Sequence, residues 1–331
     1  MDLTLKSTRE AFGDAIVDIA HKDPNVVALT ADLRDSLKLA TFQENFPGRF
    51  FDMGVAEQNM VGAAAGLALD GKIPFAASFA VFNPGRNWDQ IRVSVAYNNA
   101  NVKIIGGYVG FSNGKDGATH QALEDIALMR VLPNMVVLDP ADYDQATLAI
   151  HAAHKYVGPV YIRIRRDAVK SIESIVNSYI EKKSIGFEKL KFEDKFEIGS
   201  SQILKDGKDV TIIATGAMVE KAIVAAMILE EQNISAKVIN LYSIKPIDRD
   251  TLIKSAQETK CFVTIEEHQF MAGMGSAVVE AIIQDFPIPV KIIGVNNTFG
   301  ETGNQDELLQ TRNLTVDNII YNVKEVIKLK K

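Results

Sequence analysis

Cysteine is almost missing from this 331-residue chain. Cys261 is the only one, which excludes an intrachain disulfide and a zinc site built on thiolates. No apolar run reaches the roughly 18 residues that a membrane span needs. Positive charge is also in deficit: 36 Lys and Arg stand against 42 Asp and Glu, for a net charge of −6. That balance argues against nucleic acid or an anionic membrane as the main partner. The opening stretch, MDLTLKSTREAFGDAI, carries acids early and lacks the apolar core of a secretory leader, so a cytoplasmic protein is expected. Low-complexity tracts and short repeats are absent as well. The rest of the composition is ordinary: 47% of residues are hydrophobic and 24% charged. The length favours two domains.

Short β-rich runs alternate with helical patterns from end to end. Strands are expected at NVVALTAD, IPFAAS, NVKIIGGYVG, NMVVLDP and PVYIRI, with helices at 8–22, 55–69, 87–99, 121–130 and 142–155. Near-continuous apolar strands between helices of this length indicate a parallel sheet covered on both faces. The rhythm breaks in the charge-dense stretch from 171 to 206, read as an interdomain connection. It resumes with DVTIIATG, SAKVINL, CFVTIEE and VKIIGV, separated by helical segments. The expectation is α/β: two doubly wound, mostly parallel-sheet domains, at 1–170 and 207–331, with a linker at 171–206.

Ligands of such sheets bind where strands end and loops turn into helices. That rule selects TADLRDS (30–36), DMGVAEQ (52–58), SFAVFNPGR (78–86), YVGFSNGKDGATHQ (108–121) and IRIRRD (162–167). In GVAEQNM, Glu57 is a lone acid at the mouth of an apolar segment. It is either a first-turn acid favoured by the helix dipole or a proton-holding carboxyl facing a ligand. His120, in a glycine-bearing loop, suits proton transfer at hydroxyl groups. His268 follows a strand and is a weaker candidate, while His21, His151 and His154 fall on helix surfaces. Phe79 and Phe82 read as either core or a ligand platform. Arg9, Arg163, Arg165 and Arg166 are candidate phosphate ligands. GMGSAV (273–278) lacks the third glycine of a dinucleotide fingerprint and is discounted.

Taken together, GVAEQNM, SFAVF…WDQIR, GKDGATHQALEDIALMRVLPNM and DPAD resemble the C-terminal section of a transketolase, in the family's order and approximate spacing. The resemblance spans nearly the whole chain and implies a pyrimidine-binding domain followed by the transketolase C-terminal domain. It implies thiamine diphosphate as cofactor, with Glu57 hydrogen-bonding N1′ of the aminopyrimidine. Phe79 and Phe82 would form the aromatic pocket, and Leu33 and Asp32 would support the cofactor. His120 would shuttle a proton or bind a donor hydroxyl. Asp116 would recognise a sugar hydroxyl, and Arg9, Ser36 and Arg166 would bind substrate phosphate, with Arg165 as the neighbouring alternative to Arg166. Tyr108 falls where many transketolases carry a histidine, which bears on the choice of sugar.

The family's diphosphate- and metal-binding GDG motif is not in this chain. The resemblance therefore implies a split enzyme, the β subunit of a transketolase that moves a two-carbon ketol unit from a ketose phosphate to an aldose phosphate. Mg2+ is expected on a separate N-terminal subunit, and a homodimer core is expected within an α2β2 assembly. Alternatives are the β subunit of a 2-oxo-acid dehydrogenase decarboxylase, a deoxyxylulose-phosphate synthase-like chain, a specialised sugar-phosphate transketolase and a non-enzymatic cofactor-binding remnant. The GVNNTFGETG loop carries no assigned role.

Overall fold

The computed structural model describes residues 5–183 and 196–330, and residues 184–195 of the expected interdomain connection lie outside them. Among the described residues there are fourteen strands. The first half contributes β1 (Leu5–Ser7), β2 (Val26–Thr30), β3 (Phe50–Asp52), β4 (Ile73–Phe79), β5 (Lys103–Gly107), β6 (Val136–Leu138), β7 (Val160–Ile164) and β8 (Ala168–Lys170). The second half contributes β9 (Gln202–Lys205), β10 (Val210–Ala214), β11 (Ala236–Asn240), β12 (Ser243–Lys245), β13 (Phe262–Gln269) and β14 (Val290–Val295).

The larger sheet has the order β12-β6-β7-β5-β4-β2-β3, and every pairing in it is parallel except that of β12 with β6. Its central strands β2, β5 and β7 are buried at every position. That is the pattern of strands covered by helices on both faces. The smaller sheet runs β14-β13-β10-β11-β9, parallel apart from β9. β1 and β8 form a separate antiparallel pair. The chain is thus α/β, with two mostly parallel sheets and helices on their faces.

The sequence pattern and the observed elements differ in places that bear on function. The Thr8–Lys22 helix begins where expected, with Ser7 and Glu10 forming a reciprocal capping box. The helix expected from 121 starts only at Asp125. Gln121 is drawn off to the Glu301 carbonyl, and Ala122 bridges to Val109 and Gly110. The segment expected as one helix at 87–99 is a single α turn, Trp88–Gln90, followed by a wider π-helical stretch, Ile91–Tyr97. Within 171–206, Ile172–Lys183 is helical and β9 joins the smaller sheet.

β12 is the notable departure: it belongs to the second half of the chain but completes the first sheet, pairing Ser243 with Leu138 and Lys245 with Val137. Beside it, Arg163 donates to Asp125 at 2.8 Å and to Asp139 at 2.8 Å in a fully buried cluster. Among the described residues no helix is long and apolar enough to cross a membrane.

Candidate active site

Because β2, β3, β4, β5 and β7 are parallel, their carboxyl ends lie along one edge of the sheet. All five loops selected from the sequence leave from that edge.

Glu57 is the first residue of the Glu57–Leu69 helix, yet it is only 1% exposed. It is therefore both a helix-start acid and a buried one. Its partner was not foreseen: Arg86 Nη1 donates to Glu57 Oε2 at 2.6 Å, and Ser78 Oγ lies 3.4 Å from Oε1. The turn after β4 aims Arg86 inward, since Arg86 N–H bonds the Phe82 carbonyl and the guanidinium stacks 4.4 Å over the Phe82 ring. Asn83 and Asn87 hold this turn from beneath, through bonds to Ala76 O, Ile105 O and Glu57 O.

Aromatic rings continue the wall. Phe82 meets His120 edge-on at 5.3 Å between centroids, and Phe79 meets it at 6.2 Å. Phe79 also packs on Tyr108 at 4.2 Å. Leu33 packs against the same apolar cluster. The His120 ring is held by Thr119, whose hydroxyl lies 2.9 Å from Nδ1.

Tyr108 sits just beyond β5 with φ +59°, a left-handed conformation that a non-glycine residue adopts at a cost. Its hydroxyl accepts from Arg9 Nη1 at 2.6 Å, and Arg9 also donates to Ser36 O at 3.1 Å. Arg9 and Arg166 flank the Tyr108 ring, 5.5 and 5.8 Å from its centroid. The fold thus gathers Arg9, Ser36, Tyr108 and Arg166 from four separate segments. Asp116 is exposed on the 3-10 turn Gly114–Thr119, four positions before His120. Asp32 is exposed at the end of β2, its N–H fixed by Asp52 Oδ1 at 2.9 Å.

Two of the arginines weighed as phosphate ligands are not available to one. Arg163 is 1% exposed and bound to Asp125, Asp139 and the Glu267 carbonyl. Burial works against its charge, but the two carboxylates outweigh that and raise its pKa. Burial likewise lifts Asp139 above the usual carboxylate range in spite of Arg163. Arg165 is equally buried, ion-paired to Glu267 at 2.5 Å, whereas Arg166 is exposed.

His268 is inside β13 and fully buried, its ring bonded to Gln269 O and the Ala127 N–H. Desolvation lowers its pKa to about 4. Cys261 is buried and free, and burial pushes its thiol up to about 11. Among the described residues, no group of three His, Cys, Asp or Glu is placed to hold a metal ion.

Sequence reasoning missed Arg86 and Glu267. Arg86 stands four positions after Phe82 in the NPGR turn, so its link to the aromatic pair was available as a spacing. Glu267 gave no local sign, because its partners lie more than a hundred residues away.

The geometry is that of a two-domain α/β chain whose candidate site combines a buried carboxylate, an aromatic wall and two guanidinium groups, Arg9 half-buried and Arg166 exposed. Residues 5–171 match the family described as transketolase, pyrimidine binding domain, and residues 199–319 match transketolase, C-terminal domain. The chain belongs to the transketolase family. It is 43% identical to a transketolase C-terminal section of Methanocaldococcus jannaschii, covering 98% of this chain and 97% of the relative. It is 38% identical to a 6-deoxy-6-sulfo-D-fructose transketolase subunit of a Clostridium species, covering 97% and 95%. A solved split-gene transketolase, in an inactive beta4 tetramer, superimposes with a TM-score of 0.85 at 44% identity, covering 98% and 99% of the two chains.

Proposed function

We propose that this chain is the β subunit of a split, thiamine diphosphate-dependent transketolase, with the pyrimidine-binding domain at 1–170 and the C-terminal domain at 207–331. In this reading it acts in the cytoplasm on sugar phosphates and is active only with an N-terminal subunit that holds the diphosphate and Mg2+. The observation that carries the proposal is Glu57, a carboxylate 1% exposed at a helix start and joined through Arg86 to Phe82, whose ring meets His120.

An aminopyrimidine has apolar faces and a hydrogen-bonding edge, and the residues present suit both. Phe79, Phe82 and Leu33 offer apolar surface for a ring face. Glu57 offers a buried carboxylate oxygen, Oε1, as a hydrogen-bond partner for the polar edge of the ring, its other oxygen being held by Arg86. Thiamine diphosphate, when bound, supplies the nucleophilic carbon and the electron sink for cleaving a ketose between C2 and C3.

The chain's own residues then orient the sugar. Arg9 and Arg166 take a phosphate between them, with Tyr108 and Ser36 O fixing the Arg9 fork. Asp116 accepts from a sugar hydroxyl. His120, its Nδ1 engaged by Thr119, moves a proton at a donor hydroxyl through Nε2. Asp32 lies at the rim of the cofactor pocket.

A specialised sugar is the second reading, supported by Tyr108 at a position where many transketolases carry a histidine and by the relative named for a sulfonated sugar. A sulfonate and a phosphate present similar oxygens to a pair of guanidinium groups.

The test is to mix the purified chain with its N-terminal subunit, thiamine diphosphate, Mg2+, a ketose phosphate and an aldose phosphate, and to follow product sugars. Turnover only in the mixture, abolished by Glu57→Ala, is the expected result. A mixture that binds cofactor but transfers nothing between sugar phosphates sinks the donor class, and 2-oxo acids become the next substrates to try.

A further inference from the structure

The loop that carries Tyr108, Asp116 and His120 is gripped along its length by the C-terminal half of the chain. At its start, the Phe111 N–H donates to Glu267 Oε1 at 2.6 Å. The other oxygen of that carboxylate, Oε2, stands 2.5 Å from Arg165 Nη1, one residue before the exposed Arg166. Glu267 and Arg165 are each only 2% exposed. The contact leaves no room on the loop side: Gly110 has φ +61°, and a Cβ there would stand 2.5 Å from the Glu267 carboxylate. Further on, the Gly303 N–H donates to Gly114 O at 3.1 Å and Gln121 Nε2 donates to Glu301 O at 2.9 Å. A Cβ on Gly114 would meet Gly303 O at 2.3 Å.

Glu267 accepts one charge-assisted hydrogen bond from the Phe111 N–H and forms a close ion pair with the Arg165 guanidinium, both buried where bulk water does not compete. Here those two contacts fall on two different site segments, the 108–121 loop and the end of β7. We propose that Glu267 is a positioning residue: its single carboxylate sets the loop bearing Asp116 and His120 in register with the strand end bearing Arg166. The C-terminal domain is then part of the active-site scaffold. This inference rests on the roles proposed above for Asp116, His120 and Arg166. Sites of this kind tolerate only sub-ångström looseness before transfer slows.

Two variants of the full chain, assembled with the N-terminal subunit, test it. Glu267→Ala combined with Arg165→Met removes the tether without leaving an unpaired buried charge. Glu267→Gln keeps an acceptor for the Phe111 N–H. The readouts are backbone amide exchange across 110–121, trypsin cleavage after the exposed Lys115, cofactor affinity and sugar-phosphate kinetics.

In the double variant, loop exchange and cleavage after Lys115 are expected to rise about tenfold, while exchange in the Glu57–Leu69 helix and cofactor affinity stay unchanged. Its kcat/KM is expected to fall about 10- to 100-fold, and Glu267→Gln, which keeps the Phe111 bond but not the Arg165 ion pair, should keep most of the loop protection with a smaller loss of rate. Wild-type loop exchange in the double variant overturns the proposal, as does a rate loss that only follows a fall in cofactor affinity. If the loop loosens as expected but the unaltered assembly transfers no sugar phosphate, the tether stands and the transketolase reading falls.

Discussion

Arg86 Nη1 stands 2.6 Å from Glu57 Oε2, so the buried acid at the helix start is answered by a cation from the turn after β4. Arg86 is 42% exposed and can be hydrated on its outer side, whereas Glu57 cannot. Truncating Arg86 therefore leaves a buried carboxylate with Ser78 alone. Arg86→Ala is expected to cost the isolated chain about 1–3 kcal/mol. The cost should shrink by at least ~0.5 kcal/mol when Glu57 is already Gln. Urea unfolding of the four proteins in that cycle measures the coupling, and additive effects would mean that the pair contributes nothing.

Arg9 and Arg166 flank Tyr108 and should act on binding more than on turnover. Arg9→Ala or Arg166→Ala is expected to raise KM for a phosphorylated donor about 10- to 100-fold with little change in kcat. An unphosphorylated donor should feel neither change. Arg9→Lys should not restore the affinity, because Nη1 alone makes both the Tyr108 and Ser36 O bonds and an ammonium holding them has no second nitrogen to offer a phosphate. Steady-state kinetics with matched donors decides it.

Arg163 holds Asp125 and Asp139 together with all three side chains buried. Arg163→Met strands two carboxylates and should destabilise the chain by about 3–5 kcal/mol. Adding Asp139→Asn should recover part of that loss, since one of the two stranded charges is then gone. Chemical denaturation at neutral pH gives both numbers.

His268 makes stability sensitive to acid. Its Nδ1 lies 2.7 Å from Gln269 O and its Nε2 accepts from the Ala127 N–H at 3.4 Å, an arrangement that only the neutral ring satisfies. With a folded pKa of about 4 against an ordinary value of 6.5, the unfolded chain takes up a proton that the folded chain refuses. Stability from this group is present above the ordinary value and is lost as pH falls from about 6.5 toward 4. The expected slope is about 1.4 kcal/mol per pH unit. Urea midpoints between pH 4.5 and 7 should fall less steeply for His268→Gln than for the unaltered chain.

Much of this was legible in the sequence because it is written locally. The alternation of apolar runs and helical patterns reports parallel strands directly, and the strand-end rule then names the loops that share an edge. Glu57, Phe79, Phe82 and His120 each sit in one of those loops, so the aromatic wall could be anticipated as a neighbourhood. What was not legible depends on pairs distant in the chain. Nothing near Arg163 or Arg165 says that Asp125, Asp139 and Glu267 will neutralise them, so both looked as free as Arg166. The late start of the helix at Asp125 has the same origin, since Gln121 answers to Glu301, 180 residues away. Tyr108's hydroxyl likewise answers to a distant partner, Arg9, 99 residues away.

β12, the strand that the second half lends to the first sheet, has a consequence for how the molecule can be divided. Without Ser243–Lys245, β6 would present an unprotected row of backbone donors and acceptors at the margin of the first sheet. A fragment ending near residue 170 should therefore self-associate through that margin, whatever the quality of its own core. The two halves share this seam and also a continuous core, in which Leu29, Ala64 and Tyr161 belong to the same buried cluster as Ile213, Ile239 and Phe262, so cutting the gene between them would yield sticky pieces rather than interchangeable modules.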